Sequence, residues 1–331
     1  MRILVIRLSS LGDIVLTQPI VRELRSMYPE AEIEFLCKPG FAVLPQSFGL
    51  DVKVLEYAKT LAWHGLMLKR RYDLVLDLQA KFSSWLVRSL VHSPLKTVYN
   101  KQRRLRQSIV RGNPTAAIES TVRLYYSALE KAFPNRFTPE TKVLAPQLVL
   151  PEIGVNGTRL IKRDPGSQLI GVFVGAAHAT KAYPPQQWME LLRFAPQGYR
   201  FVLLGSKADA ELAAEIERDC GGVENLCGRL GLAELIVVIG LCDAVISGDT
   251  GPMHVAAALA KPQVAIFGGT HPRLGFAPQN EKARVICAGL DCQPCSLHGL
   301  ERCPQGHLRC LRSIPPALIL GELKKLIKQP K

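Results

Sequence analysis

No apolar run in the sequence reaches the roughly 18–20 positions that a membrane-spanning helix needs. The segment Met1–Arg7 is too short for a signal peptide and reads as a first strand, so the expected location is the cytoplasm. There the nine cysteines would be thiols or metal ligands rather than disulfides. Signature motifs of several enzyme classes are also missing. Without G-x-G-x-x-G or G-x-x-x-x-G-K-[ST], the sequence speaks against a dinucleotide enzyme and an ATPase. It has no H-E-x-x-H helix, no G-x-S-x-G elbow and no D-x-D pair, the usual carriers of zinc proteolysis, serine hydrolysis and a catalytic divalent ion. Acidic residues are scarce as well: 28 Asp and Glu stand against 42 Lys and Arg, a formal charge of +14.

That charge is uneven. Residues 1–150 carry 22 Lys and Arg against 12 Asp and Glu, net +10, and the other 181 carry 20 against 16, net +4. A positive first half favours nucleic acid, an anionic membrane or an acidic substrate, and a basic surface kept for solubility is the competing reading.

A chain of this length suits two domains. In the first half, strand-like runs at Ile3–Ile6, Glu32–Leu36, Val52–Leu55 and Leu74–Leu78 alternate with helical patterns at Ile14–Met27, Ser83–His92 and Glu119–Phe133. This rhythm predicts an α/β fold with a parallel sheet and helices on its faces. The basic run Lys101–Arg106 is expected on a loop. Proline, glycine and polar residues dominate from Pro134 to Gln168, around one strand-like piece at Lys142–Leu150, and the boundary is placed near 151–167. The alternation then restarts, with strands at Leu169–Val174, Phe201–Leu204, Ala244–Ile246, Val264–Phe267 and Arg284–Cys287. Helices are expected at Pro185–Phe194, Ala208–Cys220 and Leu232–Leu241, and an amphipathic one at Pro315–Lys328. Two such sheets set face to face would enclose a cleft, because ligands bind beyond the carboxyl ends of parallel strands.

Three βα turns could carry chemistry. In Ser247-Gly248-Asp249-Thr250-Gly251-Pro252, Asp249 or Thr250 can cap the following helix and Pro252 suits its first turn. Amides at such a helix start favour phosphate, although a capped turn with no ligand has the same pattern. Arg7-Leu8-Ser9-Ser10-Leu11-Gly12-Asp13 ends on a carboxylate that is either an N-cap or a base for a substrate hydroxyl. Gly175-Ala176-Ala177-His178-Ala179-Thr180-Lys181 offers small residues and a lysine suited to phosphate oxygens, the alternative being a solvated lysine. His254 could line the same site or pack in the core. Cys292-x-x-Cys295 with Cys303 and Cys310 is a candidate structural zinc site, yet the second pair is spaced by six residues rather than two, as reduced loop thiols would allow.

Taken together, R-L-S-S-L-G-D-I-V, G-A-A-H-A-T-K-A-Y-P-P-Q-Q-W and S-G-D-T-G-P-M-H-V-A-A-A-L-A-K-P-Q-V-A-I-F-G resemble the bacterial lipopolysaccharide heptosyltransferases, glycosyltransferase family 9. The segment C-Q-P-C-S-L-H-G-L-E-R-C-P-Q-G-H-L-R-C resembles one in many members, and the similarity runs from Arg2 to about Ile314. The resemblance implies a GT-B architecture of two Rossmann-like domains. An acceptor domain would cover 1–155 and a nucleotide-sugar domain 168–314, with a helix at 315–331 crossing back to the first. It implies inverting, metal-independent transfer of L-glycero-D-manno-heptose from ADP-heptose to an acidic lipopolysaccharide-core acceptor, Kdo-lipid A or heptosyl-Kdo-lipid A, at the cytoplasmic face of the inner membrane. Asp13 would be the general base, with Arg7, Ser9, Ser10 and Gly12 beside the acceptor. Thr180, Lys181, Asp249, Thr250, Gly251 and His254 would hold the donor, and Lys181 would also steady the leaving diphosphate. A monomer is expected, with no cofactor and no nucleic acid.

Two departures stand out. Ala182-Tyr183-Pro184 replaces the Arg-Trp-Pro of many members, and either Asp209 or Glu211 could be the acidic residue near the ribose. The rivals are a GT-B transferase or epimerase using another nucleotide sugar and, on charge alone, a nucleic-acid-binding protein. The latter lacks aromatic–basic interleaving and any known reading motif.

Overall fold

Short apolar runs without polar alternation belong to parallel strands buried on both faces, and the computed structural model builds two such sheets. It describes residues 1–153, 160–164 and 166–327. Part of the expected boundary, and the end of the chain including Lys328, lie outside the described residues. The chain divides into two compact units, Met1–Gln102 with Ser120–Pro151, and Arg103–Glu119 with Glu152–Lys331.

The first unit contains β1 (Arg2–Ile6), α1 (Leu11–Val15), α2 (Gln18–Met27), β2 (Glu32–Cys37), α3 (Val43–Gln46), β3 (Lys53–Glu56), α4 (Leu61–Leu68), β4 (Leu74–Asp77), α5 (Phe82–Leu90) and β5 (Leu95–Val98). Its last helix is α7 (Thr121–Ala132), and α6 (Arg103–Val110), which precedes it in the chain, belongs to the other unit. All strand pairs are parallel, in the order β3-β2-β1-β4-β5. Leu4, Ile6, Leu36 and Val75 on one face pack with Met67 of α4 and Val87 of α5. The chain reverses direction across the sheet between β1 and β4, which makes their carboxyl ends the switch point where ligands bind in open parallel sheets.

In the second unit run β6 (Gln168–Phe173), α8 (Pro185–Arg193), β7 (Tyr199–Leu204), α9 (Ala210–Cys220), β8 (Glu224–Asn225), α10 (Leu232–Leu241) and β9 (Ala244–Gly248). They are followed by α11 (Gly251–Ala258), β10 (Gln263–Phe267), β11 (Ala283–Cys287), α12 (Arg309–Arg312) and α13 (Pro316–Leu326). The strand order β11-β10-β9-β6-β7-β8 puts the switch point between β6 and β9.

Several expectations need correction. The expected helix Ile14–Met27 is two helices, because Thr17 starts a new one with Pro19 in its first turn, where the missing N–H costs nothing. Arg103–Arg106 is helical rather than loop: Arg106 and Ile109 turn inward, and the Arg106 guanidinium lies 5.0 Å from the Phe276 ring centroid. The piece Lys142–Leu150 forms no strand; its Val149 amide makes one bond to the Ser47 carbonyl, at 2.8 Å. The final helix buries Ile319, Leu320 and Leu323 in the core of the second unit, beside α8, β10 and β11. Tyr183 and Trp188 are core residues with ring centroids 4.9 Å apart, and the Tyr183 hydroxyl donates to the Ile314 carbonyl at 2.7 Å.

Candidate active site

In the first unit the turn after β1 folds back on its own charges. The Arg7 guanidinium lies 2.6 Å from one Asp13 carboxylate oxygen. The same oxygen accepts from the Ser10 hydroxyl at 2.8 Å and from the Ser10 amide at 3.3 Å. Tyr125 of α7 donates to the other oxygen at 3.4 Å. Burial works to raise the Asp13 pKa, but the Arg7 charge and the Ser10 hydrogen bonds outweigh it and hold the carboxyl at about 2. Asp13 is therefore ionised at any physiological pH, and 24% of its side chain is open to solvent.

Asp13 is not the N-cap of α1: Ser10 holds that position, and Asp13, at the third helical residue, reaches back to the Ser10 amide while keeping an accessible face. Arg7 is buried. Its other donors go to the Ser9 carbonyl at 2.8 Å and, across the switch point, to the Leu78 carbonyl at 2.6 Å. Arg7 therefore orients Asp13. Ser9 and Ser10 remain accessible, and Gly12 is buried inside α1.

In the second unit the turns after β6 and β9 meet. The Lys181 ammonium lies 3.0 Å from an Asp249 carboxylate oxygen, which also accepts from the Thr270 hydroxyl at 2.8 Å. Asp249 is buried and Lys181 keeps 15% of its side chain exposed. The pair can approach because β9 ends in glycine: a Cβ on Gly248 would stand 2.9 Å from the Lys181 carbonyl oxygen. Thr180 is buried, and its hydroxyl accepts from the Leu300 amide at 2.8 Å. Asp249 thus does not cap α11. Thr250 occupies the N-cap position with no side-chain capping bond, so its side chain leaves the first-turn amides of α11 unsatisfied. Gly251 and Pro252 open the helix, and His254 lies buried one turn in. Asp209 sits directly against Gly175 at the end of β6 and accepts from the Ser206 amide and hydroxyl, each at 2.7 Å, whereas Glu211 is exposed on α9.

The cysteine tetrad converges without forming a ligand set. Cys292, Cys295, Cys303 and Cys310 line one small cavity of about 20 Å³ together with His307. Burial and the neighbouring thiols push Cys310 up to about 11. Burial also acts to raise Cys303, but the amides of Gln305 to Leu308 more than offset it. Among the described residues no group of three or more His, Cys, Asp or Glu is placed to hold a metal ion.

Two participants escaped sequence reasoning. Tyr125 is hidden in an amphipathic helix where an aromatic reads as core. Thr270 follows β10 in Gly268-Gly269-Thr270, a glycine-rich βα turn that could have been singled out like the other three.

Comparison with known proteins adds a family model described as glycosyltransferase family 9 (heptosyltransferase), which matches residues 63–301. The chain is 27% identical to lipopolysaccharide heptosyltransferase 2 of Salmonella typhimurium, over 99% of each chain. It is 28% identical to lipopolysaccharide heptosyltransferase 1 of Pseudomonas aeruginosa, over 89% of this chain and 86% of the relative. Its fold is similar to the solved structure of Escherichia coli ADP-heptose LPS heptosyltransferase II, with a TM-score of 0.77 at 26% identity over 98% of each chain.

Proposed function

The chain belongs to glycosyltransferase family 9, and its two sheets are the Rossmann-like halves of a GT-B fold; from this we propose that it transfers heptose from ADP-L-glycero-D-manno-heptose to the lipopolysaccharide inner core. The observation that carries the reading is the pair of switch-point sites of opposite character. One presents an ionised, partly accessible carboxylate and the other a lysine beside an uncapped helix start.

In this reading the donor diphosphate binds at Lys181 and the amides of Thr250 and Gly251, where ammonium charge and helix dipole favour anions. Thr180, Asp249 and His254 shape that site, and Asp209 rather than Glu211 is the carboxylate assigned to the ribose. The acceptor hydroxyl attacks the anomeric carbon from the side opposite the diphosphate. A carbon–oxygen bond forms, the bond to the β-phosphate oxygen breaks with its electron pair going to ADP, and the configuration inverts. Asp13 takes the hydroxyl proton. A base with a pKa of about 2 takes no proton from a neutral hydroxyl, so transfer accompanies bond formation, once the attacking oxygen has become cationic and acidic. Lys181 and the α11 amides steady the charge on the leaving diphosphate. No step is assigned to the cysteines.

The acidic, lipid-borne acceptor fits the net +10 of residues 1–150. We place the protein, as a monomer, at the cytoplasmic face of the inner membrane. No helix among the described residues is long and apolar enough to cross a membrane. Incubation with ADP-heptose and, separately, with UDP-sugars, read by nucleoside diphosphate release and by product mass on Kdo-lipid A and heptosyl-Kdo-lipid A, tests the reading. Turnover with a UDP-sugar and none with ADP-heptose would overturn it in favour of another GT-B transferase.

A further inference from the structure

We propose that α4 and α5 form a docking face for an anionic lipid bilayer. The two helices pack on each other and on the same side of the first sheet. α4 (Leu61-Ala62-Trp63-His64-Gly65-Leu66-Met67-Leu68) is apolar nearly all round, a composition that belongs inside a protein, yet only Met67 is buried. Leu61 is 92% exposed and Phe82, which opens α5, is 76% exposed; Leu66, Leu68 and Trp85 are each about half exposed or more. The Phe82 and Trp85 rings stack with centroids 5.4 Å apart, one aromatic plate on the first turn of α5. Single exposed apolar residues need no explanation, but five on two adjacent helices mark an interaction surface.

Charge selects the occupant. Exposed Lys59 precedes α4, exposed Lys69 and Arg71 follow it, and exposed Lys81 is the N-cap of α5. Among the described residues none of these four is in an ion pair. Exposed acids nearby are Glu56 and Asp73, and Asp73 accepts from the Arg2 amide. Leucine and aromatic side chains rimmed by unneutralised lysine and arginine match the acyl boundary and phosphates of an anionic membrane. A protein partner in need of this face would have to be both apolar and acidic. Helices that follow parallel strands begin at the strands' carboxyl ends, so Leu61, Phe82 and Trp85 lie at the same end of the sheet as Asp13. A lipid-borne acceptor would therefore meet the base from the surface that carries it; this last step rests on the reading under Proposed function, whereas lipid binding does not.

The test is co-sedimentation of the full chain, without substrate, with vesicles of phosphatidylcholine alone or with about one third phosphatidylglycerol. Wild type should bind the anionic vesicles and lose binding as salt rises. Leu61→Ser/Phe82→Ser/Trp85→Ser should weaken binding at least about tenfold, and Lys69→Gln or Lys81→Gln about fivefold each. All variants should keep their circular dichroism and their turnover on a delipidated core acceptor. Equal binding by wild type and the triple variant overturns the assignment. So does a wild-type dimer that the triple variant converts to monomer with no vesicle binding by either, because the face would then hold a second copy. Vesicle binding with no heptose transfer would retain the docking face and remove the reading of its substrate.

Discussion

At the residue scale, the arrangement around Asp13 separates chemistry from positioning. Asp13→Asn keeps the shape and removes the base, so turnover should fall by about 10²–10⁴-fold while ADP-heptose affinity, read by calorimetry, stays within about twofold. Near-normal turnover would remove Asp13 from catalysis. Arg7→Met should act through Asp13. With Arg7 gone, burial is opposed by the Ser10 hydrogen bonds, and the carboxyl rises from about 2 toward or above the ordinary range near 4. The acid limb of kcat/KM should then move upward in pH relative to wild type, and an unmoved limb would show that Arg7 does not set the ionisation of Asp13. Stability follows the same sign. A folded pKa below the unfolded value contributes stabilisation that is complete above about pH 4 and is lost as pH falls toward 2. The acid-unfolding curves of wild type and Asp13→Asn should therefore converge across that window.

At the scale of elements, the donor site depends on two turns touching. Gly248→Ala puts a methyl against the Lys181 carbonyl, and overpacking of this kind costs about 1–3 kcal/mol. The easiest relief is to shift the turn at 180–181, so nucleotide affinity should fall more than the thermal midpoint does. A variant that lost stability with unchanged ADP affinity would mean the turn does not carry the site. The same comparison shows how far local pattern goes. Leu232–Leu241 is legible to the residue because a mostly apolar run of ten is long for a strand, and Gly231 before it and Cys242-Asp243 after it bound the run. The 4-residue strand β5 and the helices α4 and α6 were missed. β5, Leu-Lys-Thr-Val, lacks the apolar run that marks β4. α4 has no polar face to set a phase, and α6 hides one buried arginine in a basic run.

At the scale of the whole molecule, a ligand that binds only the folded chain stabilises it, by about 2.7 kcal/mol at a hundred times its dissociation constant. ADP should therefore raise the unfolding midpoint of wild type and of Asp13→Asn alike, and should raise that of Lys181→Ala much less at the same concentration. Equal shifts for all three would place the nucleotide away from Lys181. The grouping of 103–119 with the second unit is also a whole-molecule result. Chain order alone assigned that stretch to the first domain, but Arg106 packs on Phe276, the Ile118 amide bonds to the Arg273 carbonyl at 2.8 Å, and Arg273 reaches the Asn113 carbonyl at 3.1 Å.

The sequence by itself determined the α/β class, both sheets, the turns after β1, β6 and β9 and the family motifs they carry. Parallel strands are buried on both faces and βα turns demand small residues and caps, so each leaves a local mark in the chain. Only the tertiary structure decided that Arg7 pairs with Asp13, that Asp249 pairs with Lys181 instead of capping α11, and that the leucines of α4 stand in solvent. Ion pairing and exposure are set by what lies across space, and a side chain's neighbours along the chain carry no record of them.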